Sequence, residues 1–294
     1  MAIVPTRGGM MQRLLILNEL VWYARLPAKW TVFGLTVLLV CFPNPGRLVA
    51  HINHWRDPNA LIEPDAVVLQ PLVEELRPRM TDDLSPADAL RQVERFVYEK
   101  LPYDWDWNTW GTADYLPTVT EVIEMGREDC DGRAVVAASL LRHFGFETQI
   151  VTDFAHVWVK TDKGETMGPG KNKVVVATKK GLRVQWDALS EIPRAMAYGV
   201  GVFPLGRELV IIAALWLLLL QRDGRVAPAV VGLAALVGGL VLVRVGSDVY
   251  LHPTAWKQWL GVTVFVGGLA TLLWWVPRNG RLACRTGAPD GQKG

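Results

Sequence analysis

The chain reads as an α+β domain set between membrane-crossing helices, on three observations. Charge-free apolar runs are confined to the first 45 and the last 95 of its 294 residues. Between them, capped stretches with helical periodicity run from Ser85 to Gly145, and short β-rich runs follow from Glu147 to Trp186. Helices first and strands afterwards predict an antiparallel sheet packed on helices.

Taken in order, Met10 to Trp22 carries Leu14, Leu15, Leu17 and Val21 beside Arg13 and Glu19, a pattern for a helix lying on the inner membrane face or packed against the spans. Trp30 to Pro43 is a first crossing if the flanking cations snorkel. Its end in Cys-Phe-Pro-Asn-Pro favours an uncleaved anchor over a cleaved signal peptide. Pro204 to Leu220, Val226 to Val243 and Trp259 to Val276 are three further spans, making four in all. Arg7, Arg13, Arg25, Lys29, Arg222, Arg225, Arg278, Arg281 and Arg285 then fall on one side, while Arg244 and Lys257 are the main cations of the short opposite loop. Because Lys and Arg mark the cytoplasmic side, both termini are expected inside and the soluble domain outside. The organisation expected is residues 1–50 as segment and first span, 51–202 as extracytoplasmic domain, 203–277 as three spans and 278–294 as tail. The glycine pairs Gly238, Gly239 and Gly267, Gly268 allow close helix approach within the bundle or toward a partner subunit.

Within the soluble part, Ser85 followed by Pro86 and Asp88 caps a helix whose apolar face runs through Ala89, Val93, Phe96 and Val97 to Lys100. Thr118 and Glu121 form a capping box for a short helix that Gly126 stops. Cys130 then opens a helix through Val135, Val136, Ala137, Leu140 and Leu141, which Gly145 breaks. Strands are expected over Glu147–Val151, His156–Thr161, Lys173–Ala177 and Leu182–Trp186.

A net charge of +2, from 31 cations against 29 anions, supplies no field for nucleic acid. Three cysteines make no multi-bridge framework. Gly164, Gly168 and Gly170 fall between strand runs and form no phosphate loop. His51 and His54 read as a solvated juxtamembrane pair rather than a metal site.

The chemistry concentrates on Cys130. A thiol attacks as thiolate, and a helix N-terminus lowers its pKa. Arg127 and Arg133 act in the same direction, and Glu128, Asp129 and Asp131 act against it. His156 shares a strand face with Trp158 and Lys160, so an imidazole from that strand can serve as base if the strand crosses the helix mouth. A buried structural cysteine and a half-buried strand histidine are the alternatives. Trp105, Trp107 and Trp110 are packing, a membrane-interface surface, or a source of an oxyanion donor.

The run Asp-Cys-Asp-Gly-Arg-Ala at 129–134, Tyr103, Asp114-Tyr115, Thr118, Glu121, Arg142, Gly145 and the His-Val-Trp-Val strand from His156 together resemble the transglutaminase-like cysteine peptidase superfamily over about Leu84 to Pro169. The resemblance implies a papain-like core in a bacterial, membrane-anchored protein, with Cys130 as nucleophile and His156 as base. It implies no cofactor and no metal. The family's third residue, an Asp before a proline on the next strand, is here Gly168 before Pro169. Asp187 and Asp162 are the substitutes. Two functions follow from the resemblance: a thiol hydrolase or acyl transferase acting on amide bonds of a protein or peptide, with membrane lipid as its other partner; or an impaired fold serving as a docking subunit among other integral membrane subunits, for example of a respiratory or photosynthetic complex. The expected location is the bacterial inner membrane with the domain on the periplasmic side.

Overall fold

Prolines and capping side chains decide where the helices of this chain begin. The computed structural model describes residues 22–152, 156–168, 175–178, 181–184, 197, 199–220, 226–247 and 255–274. The chain divides into two units, Cys41–Met196 and a second made of Met1–Val40 with Ala197–Gly294. Helix α1 (Trp22–Cys41) opens the described chain and contributes Phe33 to the apolar cluster of the second unit.

In the unit Cys41–Met196, α2 (Pro45–Arg56) starts where the Asn44 side chain accepts from the Gly46 and Arg47 amides, with Pro45 preset for the first turn. After α3 (Gln70–Leu76) comes α4 (Pro86–Lys100), capped by Ser85 as its sequence predicts and burying Ala89, Leu90, Val93, Phe96 and Val97. A single turn, α5 (Asp106–Thr109), leads to α6 (Val119–Met125), where the Thr118–Glu121 capping box forms in full and Gly126 takes a left-handed φ of 67°. Helix α7 (Cys130–His143) is the centre of the unit, with every residue from Asp131 to Leu141 buried. A helix apolar on all sides needs neighbours on all sides. Helices α4 and α6 and strands β1 (Thr148–Thr152) and β2 (Val157–Thr161) all pack on it.

These strands and β3 (Gly164–Thr166) form an antiparallel sheet in the order β1-β2-β3, with Ile150 opposite Val159 and Val159 opposite Thr166. Strands β4 (Val175–Thr178) and β5 (Gly181–Val184) make a separate hairpin rather than extending that sheet. Strand β3 carries too little apolar alternation to signal itself; its pairing partner β2 creates it. Val157, Trp158 and Val159 are all buried, so the start of β2 is covered on both faces instead of alternating.

In the second unit, α8 (Leu205–Leu219), α9 (Val226–Gly246) and α10 (Ala255–Trp274) follow α1. Gly232, Gly239 and Gly246 on α9 recur every seven residues and meet α10, which presents Gly261 and Gly268. A Cβ on Gly239 would lie 2.6 Å from the Phe265 amide nitrogen and 2.7 Å from the Gly261 carbonyl oxygen. Backbones this close leave no room for a side chain. The first member of each sequence pair, Gly238 and Gly267, faces open space. At one end of the unit Arg244 donates to the Glu208 carboxylate and to the carbonyls of Val200 and Phe203.

The expectation of four spans is corrected. Among the described residues, α9 alone is long and apolar enough to cross a membrane; Leu26–Cys41 and Pro45–Arg56 qualify only if counted together as one broken span. Helix α8 has 15 residues, about 22 Å of helix against a hydrocarbon core of about 30 Å. Helix α10 has 20 residues but spends its first turn on Ala-Trp-Lys-Gln-Trp.

Candidate active site

The Asp129 side chain caps α7 by accepting from the Asp131 amide at 3.0 Å, and this sets Cys130 as the first helical residue. The half-buried Cys130 thiol donates to Asp131 Oδ1 at 3.2 Å, and its sulfur accepts the Val157 N–H. The opening of β2 therefore does cross the mouth of the helix. His156 immediately precedes Val157 and is exposed. It stands just before the strand, not within it, so the residue adjacent in sequence to the sulfur's backbone donor carries the imidazole.

Around the sulfur the balance that the sequence leaves open falls against the thiolate. Burial pushes the Cys130 thiol above its ordinary pKa, and the carboxylates of Asp131 and Asp129 push it further. The positive end of the helix does not reach the sulfur as a net benefit, because a carboxylate cap already uses it. The two arginines are engaged elsewhere. Arg127 pairs with Asp104 at 3.0 Å. Arg133 donates from Nε and Nη2 to the Leu101 carbonyl and lies 5.0 Å from the ring centres of both Tyr98 and Tyr103.

Behind Cys130 lies a set of carboxyl groups in which Asp106, distant in sequence, joins Glu128 and Asp129. Glu128, fully buried, accepts from Trp110 Nε1 at 2.8 Å and from the Asp129 amide at 3.1 Å. Asp106, 2% exposed, accepts from the Tyr115 amide through Oδ2, while its Oδ1 meets no hydrogen-bond donor among the described residues. Burial, then the charges of Asp129, Asp131, Glu128 and Asp114, push Asp106 up to about 11. Burial first and Asp129 second raise Glu128 to about 7, and burial chiefly raises Asp129 to about 6. At neutral pH Asp106 thus carries a proton, and its hydroxyl is shared with the Glu128 and Asp114 oxygens beside it. Asp106, Glu128 and Asp129 bring one oxygen each within 4.8 Å of one another.

The remaining expected site residues are not all brought together. Asp162 is exposed in the turn after β2, where it pairs with Lys163 at 3.0 Å. The whole five-residue strand separates it from His156, on the order of 15–20 Å, so it does not orient that ring. Asp187 lies outside the described residues. At Gly168 the expected acid's place is open: a Cβ there would make ordinary contact with the Trp158 ring at 3.5 Å. The preceding residue, Met167, is buried with a φ of 62° and ends the strand.

Two other expectations change. His51 and His54 are not a solvated pair. His51 Nδ1 accepts the Leu116 amide, His54 Nδ1 lies 2.6 Å from the Leu116 carbonyl, and both rings lie against Tyr115, so they fix α2 to the 114–116 segment. The tryptophans divide: Trp110 is buried with its indole given to Glu128, while Trp105 and Trp107 stack at 4.9 Å and are half-buried. A committed indole is no oxyanion donor.

Comparison with known proteins bears on the same segment. Residues 73–179 match the model of the transglutaminase-like superfamily. This stretch is a transglutaminase-like domain. No curated protein and no solved structure matches the chain. The match takes in Cys130, His156 and Gly168 and stops before Asp187. What sequence reasoning missed in the transglutaminase-like domain is Gly132, where a Cβ would lie 2.3 Å from Glu128 Cγ and 2.6 Å from Val122 Cγ2. The glycine stands in plain sight within the Asp-Cys-Asp-Gly run, and a glycine inside a helix is the signal of close approach.

Proposed function

We propose that the transglutaminase-like domain is a membrane-anchored thiol hydrolase or acyl transferase that acts on amide bonds of a protein or peptide. The observation that supports this reading is the Val157 amide on the Cys130 sulfur, since Val157 follows His156 directly in the chain. In the reaction, His156 takes the thiol proton as sulfur bonds to the amide carbonyl carbon, and returns it to the nitrogen as the C–N bond breaks. The thioester is then resolved by water or by an amine, which gives up a proton to the same ring. The Cys130 amide is the available oxyanion donor.

Anchoring is supported by α9 and by the aromatic residues of α10: Trp256, Trp259 and Trp274 are at least 60% exposed. The outer two are 18 residues apart in sequence, about 27 Å of helix, the spacing of two aromatic belts in one bilayer. On this reading α9 crosses a bacterial plasma membrane. The second reading, a docking subunit of a larger membrane complex with impaired catalysis, is favoured by two observations: the upward pKa of the thiol and the glycine at 168.

An electrophilic amide-directed thiol probe applied to intact membranes separates the two. The enzyme reading expects labelling lost in Cys130→Ala and strongly reduced in His156→Ala; equal absence of labelling in wild type and Cys130→Ala overturns it. Gly168→Asp, which fits without displacing Trp158, is expected to raise the labelling rate by at least tenfold if a missing acid limits the chemistry, since orienting carboxylates contribute up to about 10⁴ in rate.

A further inference from the structure

The proposed reaction leaves one close contact unused. Cys130 and Asp131 are the first and second residues of α7, and the thiol is directed at the carboxylate, with 3.2 Å between Sγ and Oδ1. Asp131 is 5% exposed, so water does not compete for that oxygen. Its amide is held by the Asp129 cap, which fixes the backbone on which both side chains stand. The two groups at the helix mouth therefore compete for one proton and for the same partial positive charge. The thiol keeps the proton and the carboxylate takes the positive charge, because a carboxylate's ordinary pKa lies several units below a thiol's and the Cys130 S–H counters the upward push of burial on Asp131.

Resting on the functional reading above, we infer that Asp131 is a positioning residue that holds the Cys130 thiol protonated at rest, so that the nucleophile waits as a neutral, hydrogen-bonded thiol and not as a thiolate–imidazolium pair. The groups facing the sulfur are consistent with this. On its own helix Asp129 and Asp131 disfavour a second anion, and Tyr98 from α4 adds a neutral hydroxyl. Arg133, the nearest cation of α7, spends its donors on Leu101. Glu128 and Asp106 behind the helix mouth and Asp114 from the adjoining loop add further acidic groups. His156, just before β2, is the base that must take the proton when a substrate arrives. Release from Asp131 then becomes a step that substrate binding has to bring about, which keeps the thiol inert toward adventitious electrophiles.

The test is the pH profile of Cys130 alkylation by iodoacetamide, followed by intact mass in the full chain with Cys41 and Cys284 replaced by Ala. The background chain is expected to show a rate still rising well above pH 8.5, roughly the midpoint of a free thiol. Asp131→Asn is expected to move the profile down and to raise the rate at pH 7.5 by about tenfold or more, one pH unit being tenfold in thiolate. A plateau below about pH 8 in the background chain overturns the inference, as does an unchanged profile in a folded Asp131→Asn. If that variant does not fold, the infrared S–H band of the background chain at pH 8 decides. A band displaced by hydrogen bonding and lost in Cys130→Ser supports the inference, and no S–H band overturns it. An unmoved profile with Cys130-dependent amide-probe labelling sinks this inference and leaves the functional reading standing. A moved profile without such labelling does the reverse.

Discussion

At the start of α7 the chain crowds carboxyl groups together, whereas along α9 and α10 it removes side chains altogether, and both devices bring backbone elements closer than ordinary packing allows. In the first place Glu128, Asp106 and Asp129 are held by donors from Trp110, Tyr115 and the backbone, and the excess charge is relieved by protons. In the second, Gly239 and Gly261 abut with no group to titrate and no hydrogen bond to break. The lesson is that the second contact depends on shape alone and should ignore pH, while the first should respond to pH and tolerate an uncharged isostere.

The largest effect expected is at the glycine contact. Gly239→Leu places carbon atoms against the Phe265 amide and the Gly261 carbonyl, neither of which can yield, and should destabilise the helix pair by at least ~3 kcal/mol; Gly238→Leu, one residue away and facing open space, should not. Thermal unfolding in detergent micelles, read by circular dichroism, compares the two, and equal melting temperatures would remove the shape argument. Gly132→Ala carries the same test into the transglutaminase-like domain. Its Cβ would meet Glu128 Cγ and the Val122 and Pro117 side chains, for an expected loss of about 2–3 kcal/mol in urea unfolding.

The pH response comes next. Glu128 and Asp129 titrate from 4.5 and 3.8 in their ordinary state to about 7 and about 6 in the folded domain. Raised acids bind more protons folded than unfolded, so the stability they contribute is complete below about pH 4 and is lost as pH rises through 7. A decline on the order of 2 kcal/mol between pH 4 and 7.5 is expected in the unfolding of Cys41–Met196, with none in the α9–α10 pair; a rise over that interval would show that the carboxyls ionise freely. The smallest change expected is Asp106→Asn, within about 1 kcal/mol at neutral pH. The amide oxygen keeps the Tyr115 donor, and the NH₂ lies where Oδ1 now faces carboxylates. Asp106→Ala, which orphans the Tyr115 amide, should cost about 2 kcal/mol more.

Much of this was legible in the residues because it is local. Ser85, the Thr118–Glu121 box and Gly126 set their helices by contacts within a few positions, and Cys130 opens its helix for the same reason. What stayed hidden is nonlocal. Asp106 lies in a separate segment from the adjacent Glu128 and Asp129, and the three acquire their chemistry only when α5 folds against the loop before α7. The direction of the Cys130 pKa stayed open because the helix N-terminus and Arg127 and Arg133 oppose Glu128, Asp129 and Asp131, and burial, which decides between them, is set by tertiary packing. His156 and Asp162 share a face by alternation, yet the length of β2 keeps them apart, a distance that periodicity does not measure. Strand β3 exists through pairing with β2 and has no pattern of its own.

The turn at Met167 and Gly168 has a consequence for the history of this scaffold. The buried Met167, not the glycine, adopts the left-handed backbone, so the glycine is not required there by conformation. The ground beside Trp158 is also clear. An acid can therefore be written into this position, or erased from it, without rebuilding the strand that leads to it. On the proposed chemistry, gain and loss of competence in a lineage built on this frame lie a single replacement apart, in either direction.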